Sequence, residues 1–201
     1  MTSAATTFLD HPTRDVHRAA AADAMALAST LASAFFNDPV FAWCYPNAER
    51  RRQILPSWFK AVLETNLPYG EIYTTRKEIG VAVWVPPGVD DDEQLGMKLG
   101  DISGEYAANL SGAFELMGEH HPRDLHHYLF LLGTRPEWQG RGIGTALMRP
   151  VLELCDRDAV PAYLEATSEH NLRLYLRHGF EVAGEIKLPK GPSMWPMWRR
   201  P

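Results

Sequence analysis

The glycine-rich segment Gln139–Thr145 stands between an apolar run and a helical pattern, and this order of elements constrains the fold more than any other feature. The apolar run Tyr128–Leu132 predicts a buried strand, and the spacing of apolar residues over Gly142–Asp156 predicts a helix. Ala162–Ala166 then predicts another strand. Because a strand, a helix and a second strand form a crossover between parallel strands, we expect a sheet that is parallel in its middle.

The remaining segments complete one predicted α/β domain over residues 1–201, with a loose polar tail at 1–13. We expect about seven strands in a mixed sheet whose last pair is antiparallel. The further predicted strands are Asp15–Ala19, Glu71–Thr75, Gly80–Val85, Phe180–Ile186 and Ser193–Arg199. The further predicted helices are Ala20–Phe36 with Asp23 as its cap, a helix opened by Glu49, an insert from Asp90 to about Gly118, and Asn171–Arg177.

The charge balance argues against a protein that binds nucleic acid independently of sequence. The net charge is −5, whereas such binding requires a basic face. The first residues lack the basic and apolar regions of a signal peptide, and no apolar run reaches the ~18 residues of a membrane helix. The two cysteines, Cys44 and Cys155, are predicted to be buried and reduced. We therefore expect a cytoplasmic protein with neither nucleic acid nor membrane as a partner.

The predicted turn at Gln139–Thr145 has the properties of an anion site. Its glycines allow positive φ and a close approach of the backbone, and the helix that follows presents unpaired N–H groups. The segment is not a Walker A loop, because no Gly-Lys-Ser/Thr follows, and its glycines have the wrong spacing for a dinucleotide fingerprint. A glycine-rich turn that serves packing alone is the structural alternative.

A second candidate feature lies downstream, where Asn171 precedes Tyr175 by one helical turn. Residues at this spacing share a helix face, so both side chains are predicted to face the same way. A tyrosine there could donate a proton, although the simpler reading is a half-buried packing residue. Gly179 follows at the position of a helix C-terminal glycine.

Together these two features resemble the GNAT superfamily of N-acetyltransferases. QGRGIG at 139–144 resembles its coenzyme A pyrophosphate motif, Leu131–Pro136 its bulged fourth strand, and 166–180 its later motif. The resemblance implies a GNAT fold with helices on both faces of the sheet, and within it the puromycin N-acetyltransferase-like branch. It also implies acetyl-CoA as co-substrate, bound by Leu132, Gly133, Thr134, Gln139, Gly140, Arg141, Gly142, Ile143, Gly144, Thr145 and Asn171.

The activity implied by the resemblance is direct acetyl transfer to a primary amine of a small molecule in a ternary complex. Tyr175 is the implied general acid toward the coenzyme A sulfur, and a backbone N–H near 132–134 is implied to polarise the thioester carbonyl. Glu165, at the end of a predicted strand, could be the base, or could instead hydrogen-bond the sheet or bind a cationic substrate. The other candidate bases are water and the histidines at 120, 121, 126 and 127.

Several alternatives stay open at the level of sequence. The acceptor could be a peptide or protein amine, or the chain could bind acetyl-CoA without catalysis, and a Rossmann oxidoreductase is a third alternative. No metal site is expected, because the histidine pairs lack a ligand spacing. The oligomeric state is open, a homodimer being one alternative. If the aromatic residues of the first helices line the acceptor pocket, they predict that the substrate is a sizeable apolar amine. These residues are Phe35, Phe36, Trp43, Tyr45, Trp58, Phe59 and Tyr69.

Overall fold

The fold was obtained as a computed structural model, which describes residues 15–89 and 93–201. Within these residues the chain forms eight strands and seven α-helices. The strands are β1 (Val16–Arg18), β2 (Ile72–Thr75), β3 (Gly80–Val85), β4 (His127–Thr134), β5 (Ala162–Ala166), β6 (Glu181–Val182), β7 (Ile186–Lys187) and β8 (Ser193–Arg199). The helices are α1 (Ala24–Phe35), α2 (Pro39–Cys44), α3 (Ala48–Asn66), α4 (Glu93–Ser103), α5 (Ala107–His120), α6 (Ile143–Asp158) and α7 (Glu169–Leu176).

The strands form one mixed sheet in the order β1-β2-β3-β4-β5-β8-β6, with β7 also paired to β8. Within the described residues β4 and β5 are the parallel pair, and the other neighbours are antiparallel. One core packs α1 to α5 against one face, and a second core packs α6 and α7 against the other. The predicted α/β architecture, a mixed sheet with a parallel middle and helices on both faces, is thereby confirmed.

The predicted strand Phe180–Ile186 is wrong as a single element, because it is interrupted. Val182 pairs with Met197 and Ile186 with Met194, so β6 and β7 are separate strands along β8. Pro196 lies opposite the break and lacks an N–H group for the ladder. The interruption raises the strand number from about seven to eight.

The first helix also begins differently from its prediction. Residues Ala21–Asp23 form a 3₁₀ turn, and the Asp23 carboxylate accepts from the Ala20 N–H at 2.7 Å rather than from the first turn of α1. The aromatic stretch that follows contains a helix, α2, that the sequence interpretation missed. Asp38 caps it and Pro39 occupies its first position, which is a recognised start signal.

The segment between β3 and β4 is helical, as predicted, but forms two helices, α4 and α5. The acidic start of this insert at 90–92 and the tail at 1–13 lie outside the described residues. The insert packs beside α3 and closes one side of the molecule above β4. This closure determines the shape of the cavities described below.

Candidate active site

The two central strands separate and leave a gap between them. His127 and Tyr128 of β4 pair with β5, after which β4 continues along β3 to Thr134 and β5 continues along β8 to Ala166. On β4, Leu129 is opposite Trp84 and Leu131 is opposite Val83, so Phe130 forms a bulge. A bulge bends its strand, which accounts for the divergence of β4 from β5. A bulged strand is therefore present, but β4 spans His127–Thr134 and its bulge lies just before the predicted segment Leu131–Pro136.

The glycine loop lies at the end of β4 and opens α6. Gly140 and Gly142 have φ of 73° and 79°, the left-handed conformation that favours glycine. The first helical hydrogen bond runs from the Ala146 N–H to the Gly142 carbonyl at 3.0 Å. The N–H groups at 143–145 have no acceptor within the helix, as at any helix start. The loop therefore offers the N–H cluster of an anion site.

The side chains of this loop hold it in shape. Gln139 donates to the Thr134 carbonyl at 3.1 Å and ties the loop to the end of β4. The Arg141 guanidinium stacks over Trp138, 4.7 Å from the ring centroid, which leaves it at the exposed rim. Thr145 lies 3.0 Å from the His178 Nε2. The loop is thus linked to the segment after α7.

Three of the predicted cofactor residues also have packing roles. A Cβ on Gly133 would lie 3.0 Å from Ala34 and Leu31 of α1, so glycine accommodates the close approach of that helix. A Cβ on Gly144 would lie 3.2 Å from Leu174 of α7, and Ile143 is buried in the core below α6. The absence of a side chain at the two glycines and the apolar side chain of Ile143 are thus explained by packing, and a cofactor role would fall to the backbone groups of all three.

The predicted acid, base and cofactor asparagine line one cavity at the open end of the gap. Tyr175 and Asn171 come from α7, Glu165 from β5, and Leu132 from β4. Asn171 and Tyr175 face the same way because they are one helical turn apart. Residues distant in the sequence are therefore assembled at one cavity, whose lining does not include residues 139–145.

Tyr175 is buried, with 7% of its surface exposed. Burial raises the pKa of its phenol above the ordinary value, and the negative charge of Asp38 raises it further. A phenol with a raised pKa remains protonated throughout the neutral range. The hydroxyl is therefore in the form that a proton donor requires.

Glu165 is held by an aromatic neighbour from the adjacent strand. The Tyr128 hydroxyl donates to Glu165 Oε2 at 2.8 Å, and the glutamate side chain is 3% exposed. The other oxygen, Oε1, is buried without a hydrogen-bond partner among the described residues, and lies 3.9 Å from His121 Nδ1. An unpaired buried acceptor of this kind is suited to receive a proton.

The four histidines separate into two groups. His121 and His126 lie over Glu165, with their Nε2 atoms 3.2 Å apart, and His121 packs edge-on to Tyr128. His126 is the more buried of the two, and burial lowers its pKa. His120 instead bonds the Leu116 carbonyl, and His127 contacts Glu71 at 3.1 Å, both away from Glu165.

Asp38 is a buried group near the site that the sequence interpretation used only as a helix terminator. Its carboxylate accepts from the Val40 and Phe41 N–H groups and from the Thr167 hydroxyl, which joins α2 to the end of β5. Burial raises the pKa of Asp38. The Asp-Pro pair at 38–39 was the available signal, since it marks a helix cap.

The two thiols are buried and free. Burial raises the pKa of Cys44, which lines the cavity, and of Cys155 to about 12. Because the thiolate is the nucleophile, neither cysteine is activated for attack. Within residues 15–89 and 93–201 no group of three or more His, Cys, Asp or Glu side chains is arranged to hold a metal ion. No helix in the same two ranges is long and apolar enough to cross a membrane.

The comparisons with known proteins agree with this geometry. Residues 52–180 match the model of the acetyltransferase (GNAT) family, and the chain belongs to this family of acyltransferases. An uncharacterised N-acetyltransferase of Schizosaccharomyces pombe is 26% identical over 196 residues, which cover 90% of this chain and 79% of that protein.

Solved structures give the same fold. A Corynebacterium glutamicum structure described as histone acetyltransferase HPA2 and related acetyltransferase is 28% identical, with a TM-score of 0.70 over 93% of this chain and 96% of that chain. A polyamine N-acetyltransferase of Drosophila melanogaster is 17% identical, with a TM-score of 0.56 over 92% and 99% of the two chains. The latter likeness establishes the fold alone.

Proposed function

We propose that this chain transfers an acetyl group from acetyl-CoA to a primary amine of a small molecule, by direct attack in a ternary complex. The observation that carries the proposal is the convergence of Tyr175, Asn171 and Glu165 on one cavity beside the β4 bulge. A proton donor and a proton acceptor on either side of one cleft meet the requirement of acyl transfer to nitrogen. A relative named as an N-acetyltransferase supports the same chemistry.

The residues of the loop fit acetyl-CoA, which when bound would supply the activated acetyl group as a thioester. The N–H groups at 143–145 and the Arg141 guanidinium would hold the pyrophosphate. Asn171 would hold the pantetheine arm. A backbone N–H near 132–134 would polarise the carbonyl, a contribution of about 10²–10³ in rate for a single well-placed donor.

The two protons of the reaction are assigned to different residues. The amine nitrogen forms the new bond to the acetyl carbon while the carbon–sulfur bond breaks. Glu165 Oε1 accepts the proton that the nitrogen loses, and the Tyr175 hydroxyl donates one to the departing sulfur. His121, 3.9 Å from Glu165 Oε1, is the next titratable group for the proton taken up there. No covalent enzyme intermediate is needed, which agrees with two protonated thiols.

The first experiment is an acetyl-transfer assay with a panel of amines. The panel contains arylalkylamines, polyamines, aminoglycosides, short peptides and puromycin, the last because of the branch resemblance. Coenzyme A release and product mass are followed together. We expect a small-molecule product heavier by one acetyl group.

The same assay is run on Tyr175→Phe. Loss of the proton donor should lower kcat by about 10²–10⁴-fold and leave acetyl-CoA affinity unchanged. Tyr73→Phe is the matched control, because Tyr73 is also buried but contacts Arg18 on β1. Equal activity of Tyr175→Phe and wild type would contradict the assignment of the acid.

The alternatives predict different outcomes of the panel. Acetylation of peptides alone would support a peptide or protein acceptor. Acetyl-CoA binding without any product would support a non-catalytic sensor, and tight binding of NAD in place of acetyl-CoA would overturn the proposal.

A further inference from the structure

A second, wider cavity adjoins the candidate active site. It has a volume of about 540 Å³, within the usual range of small-molecule pockets. It is formed by the end of α3, the two helices of the α4–α5 insert and β4. Its apolar walls include Tyr69, Leu95, Phe114, Met117, Leu125 and Phe130.

The two cavities share walls. Phe114, Met117 and Phe130 line both the wide cavity and the cavity that contains Glu165 and Tyr175. Tyr128, which lines the wide cavity, is also the residue that donates to Glu165. The wide cavity therefore lies directly beside the position of an amine that reaches Glu165.

The charged residues among the described lining of the wide cavity are exposed. Glu93, Arg123 and Asp124 are exposed, and one of the three is basic. The inner histidines His121 and His126 carry no negative charge. Among the described lining residues no carboxylate is buried and so placed to hold a second ammonium group. Uncharged aromatic, aliphatic and thioether side chains form the interior together with Asn66, His121 and His126.

We propose that the cavity of the α4–α5 insert binds the uncharged apolar body of the acceptor, which is a monoamine carrying an aromatic or branched aliphatic group. This inference rests on the proposed acetyl transfer and narrows its substrate class. The attacking amine lies at Glu165 and the apolar group lies between Phe114 and Phe130. Burial of an aromatic ring would then contribute to binding, whereas a linear polyamine would bury charge instead.

The test uses two glycines of α4 that are one helical turn apart. Gly96 lines the cavity and Gly100 does not, and a Cβ built on either meets no atom within 4 Å. Gly96→Trp should fill the mouth of the cavity, and Gly100→Trp is the matched control for helix propensity and surface change. Both variants are assayed with a phenylalkylamine, a linear diamine of similar length and a short alkylamine.

For wild type we expect kcat/KM for the phenylalkylamine to exceed that for the diamine by about tenfold or more, as burial of a ring predicts. Gly96→Trp should lower the value for the phenylalkylamine by about tenfold, with little change for the short alkylamine. The kcat/KM values of Gly100→Trp should match those of wild type. Preference for the diamine, or equal losses in the two variants, would overturn the inference.

A readout without turnover separates this inference from the proposed function. Binding of the phenylalkylamine to the protein saturated with coenzyme A is measured by calorimetry. Binding that Gly96→Trp weakens supports the cavity assignment even if no acetyl group is transferred. Acetylation of the short alkylamine alone, with no binding of the phenylalkylamine, would leave the acetyltransferase proposal standing and refute the cavity assignment.

Discussion

At the scale of single residues, the environment of Glu165 decides its chemistry. One oxygen is bound by the Tyr128 hydroxyl, and the other is buried and unpaired beside His121. The sequence left three readings of this carboxylate: a base, a hydrogen-bonding partner of the sheet, or a group that binds a cationic substrate. Tyr128 satisfies one oxygen, and the free second oxygen favours the base, which remains a proposal.

Glu165→Gln tests this proposal. The amide keeps the size of the side chain and can still accept from Tyr128, but it cannot take a proton. We expect kcat/KM to fall by about 10²–10³-fold with acetyl-CoA affinity unchanged.

Tyr128→Phe is the companion variant, since it removes a hydrogen bond to the charged carboxylate and keeps the carboxylate itself. Loss of that bond should lower kcat/KM less than Glu165→Gln does, because the carboxylate that accepts the proton is kept. If the kcat/KM of Glu165→Gln were within threefold of the wild-type value, the base would have to be His121 or water.

At the scale of elements, the start of α6 depends on a left-handed residue. Gly142 has φ of 79° and precedes the first turn, so its conformation sets the direction of the N–H groups at 143–145. For a residue with a Cβ this conformation costs about 1–2 kcal/mol. The geometry of the anion site is thus sensitive to one backbone position.

Gly142→Ala should therefore weaken acetyl-CoA binding by about tenfold, measured by calorimetry, because alanine favours a conformation that turns the first N–H groups away. Gly70→Ala is the control, since Gly70 has φ of 72° in a turn before β2. Both variants should lose similar stability in urea titrations. If Gly70→Ala weakened acetyl-CoA binding equally, the loss would be a general effect of destabilisation.

The junction of the first helices is held by a residue that the sequence interpretation took for part of a charged helix opening. Arg51 is buried and donates to the Phe36 carbonyl at 2.8 Å and the Tyr45 carbonyl at 2.6 Å. These carbonyls end α1 and α2, where a cation also interacts favourably with the helix dipole. Its neighbours Arg50 and Arg52 remain exposed, so the three arginines differ only by their position on the helix.

At the scale of the whole molecule, the buried His126 and the half-buried His178 link stability to pH. Burial lowers the pKa of both His126 and His178. Their ordinary pKa applies in the unfolded chain, so below pH ~6.5 the unfolded state binds more protons than the folded state. The contribution of these residues to the free energy of unfolding is therefore present near pH 7 and is lost as the pH falls. Asp38, whose pKa is raised, acts in the opposite direction.

The double variant His126→Gln, His178→Gln should show a shallower fall of the unfolding free energy between pH 7 and pH 5. Each histidine can contribute a slope of at most about 1.4 kcal/mol per pH unit. Urea titrations at several pH values, with wild type in parallel, measure the difference. An unchanged slope would show that these histidines titrate normally in the folded protein.

The sequence by itself determined the central crossover, the glycine loop and the pair Asn171 and Tyr175. These features are local, because a strand followed by glycines and a helix, or residues one turn apart, are set by backbone geometry within a few positions. The parallel middle and the helices on both faces followed from the order of elements and the family resemblance, and both are confirmed.

The tertiary structure alone decided what surrounds the proposed base and where an acceptor could fit. Tyr128 and Glu165 are 37 residues apart, and they meet because β4 and β5 pair in parallel for two residues before they diverge. The wide cavity exists because the α4–α5 insert closes over β4. Such contacts depend on register and packing between distant segments, so the periodicity within either segment cannot predict them.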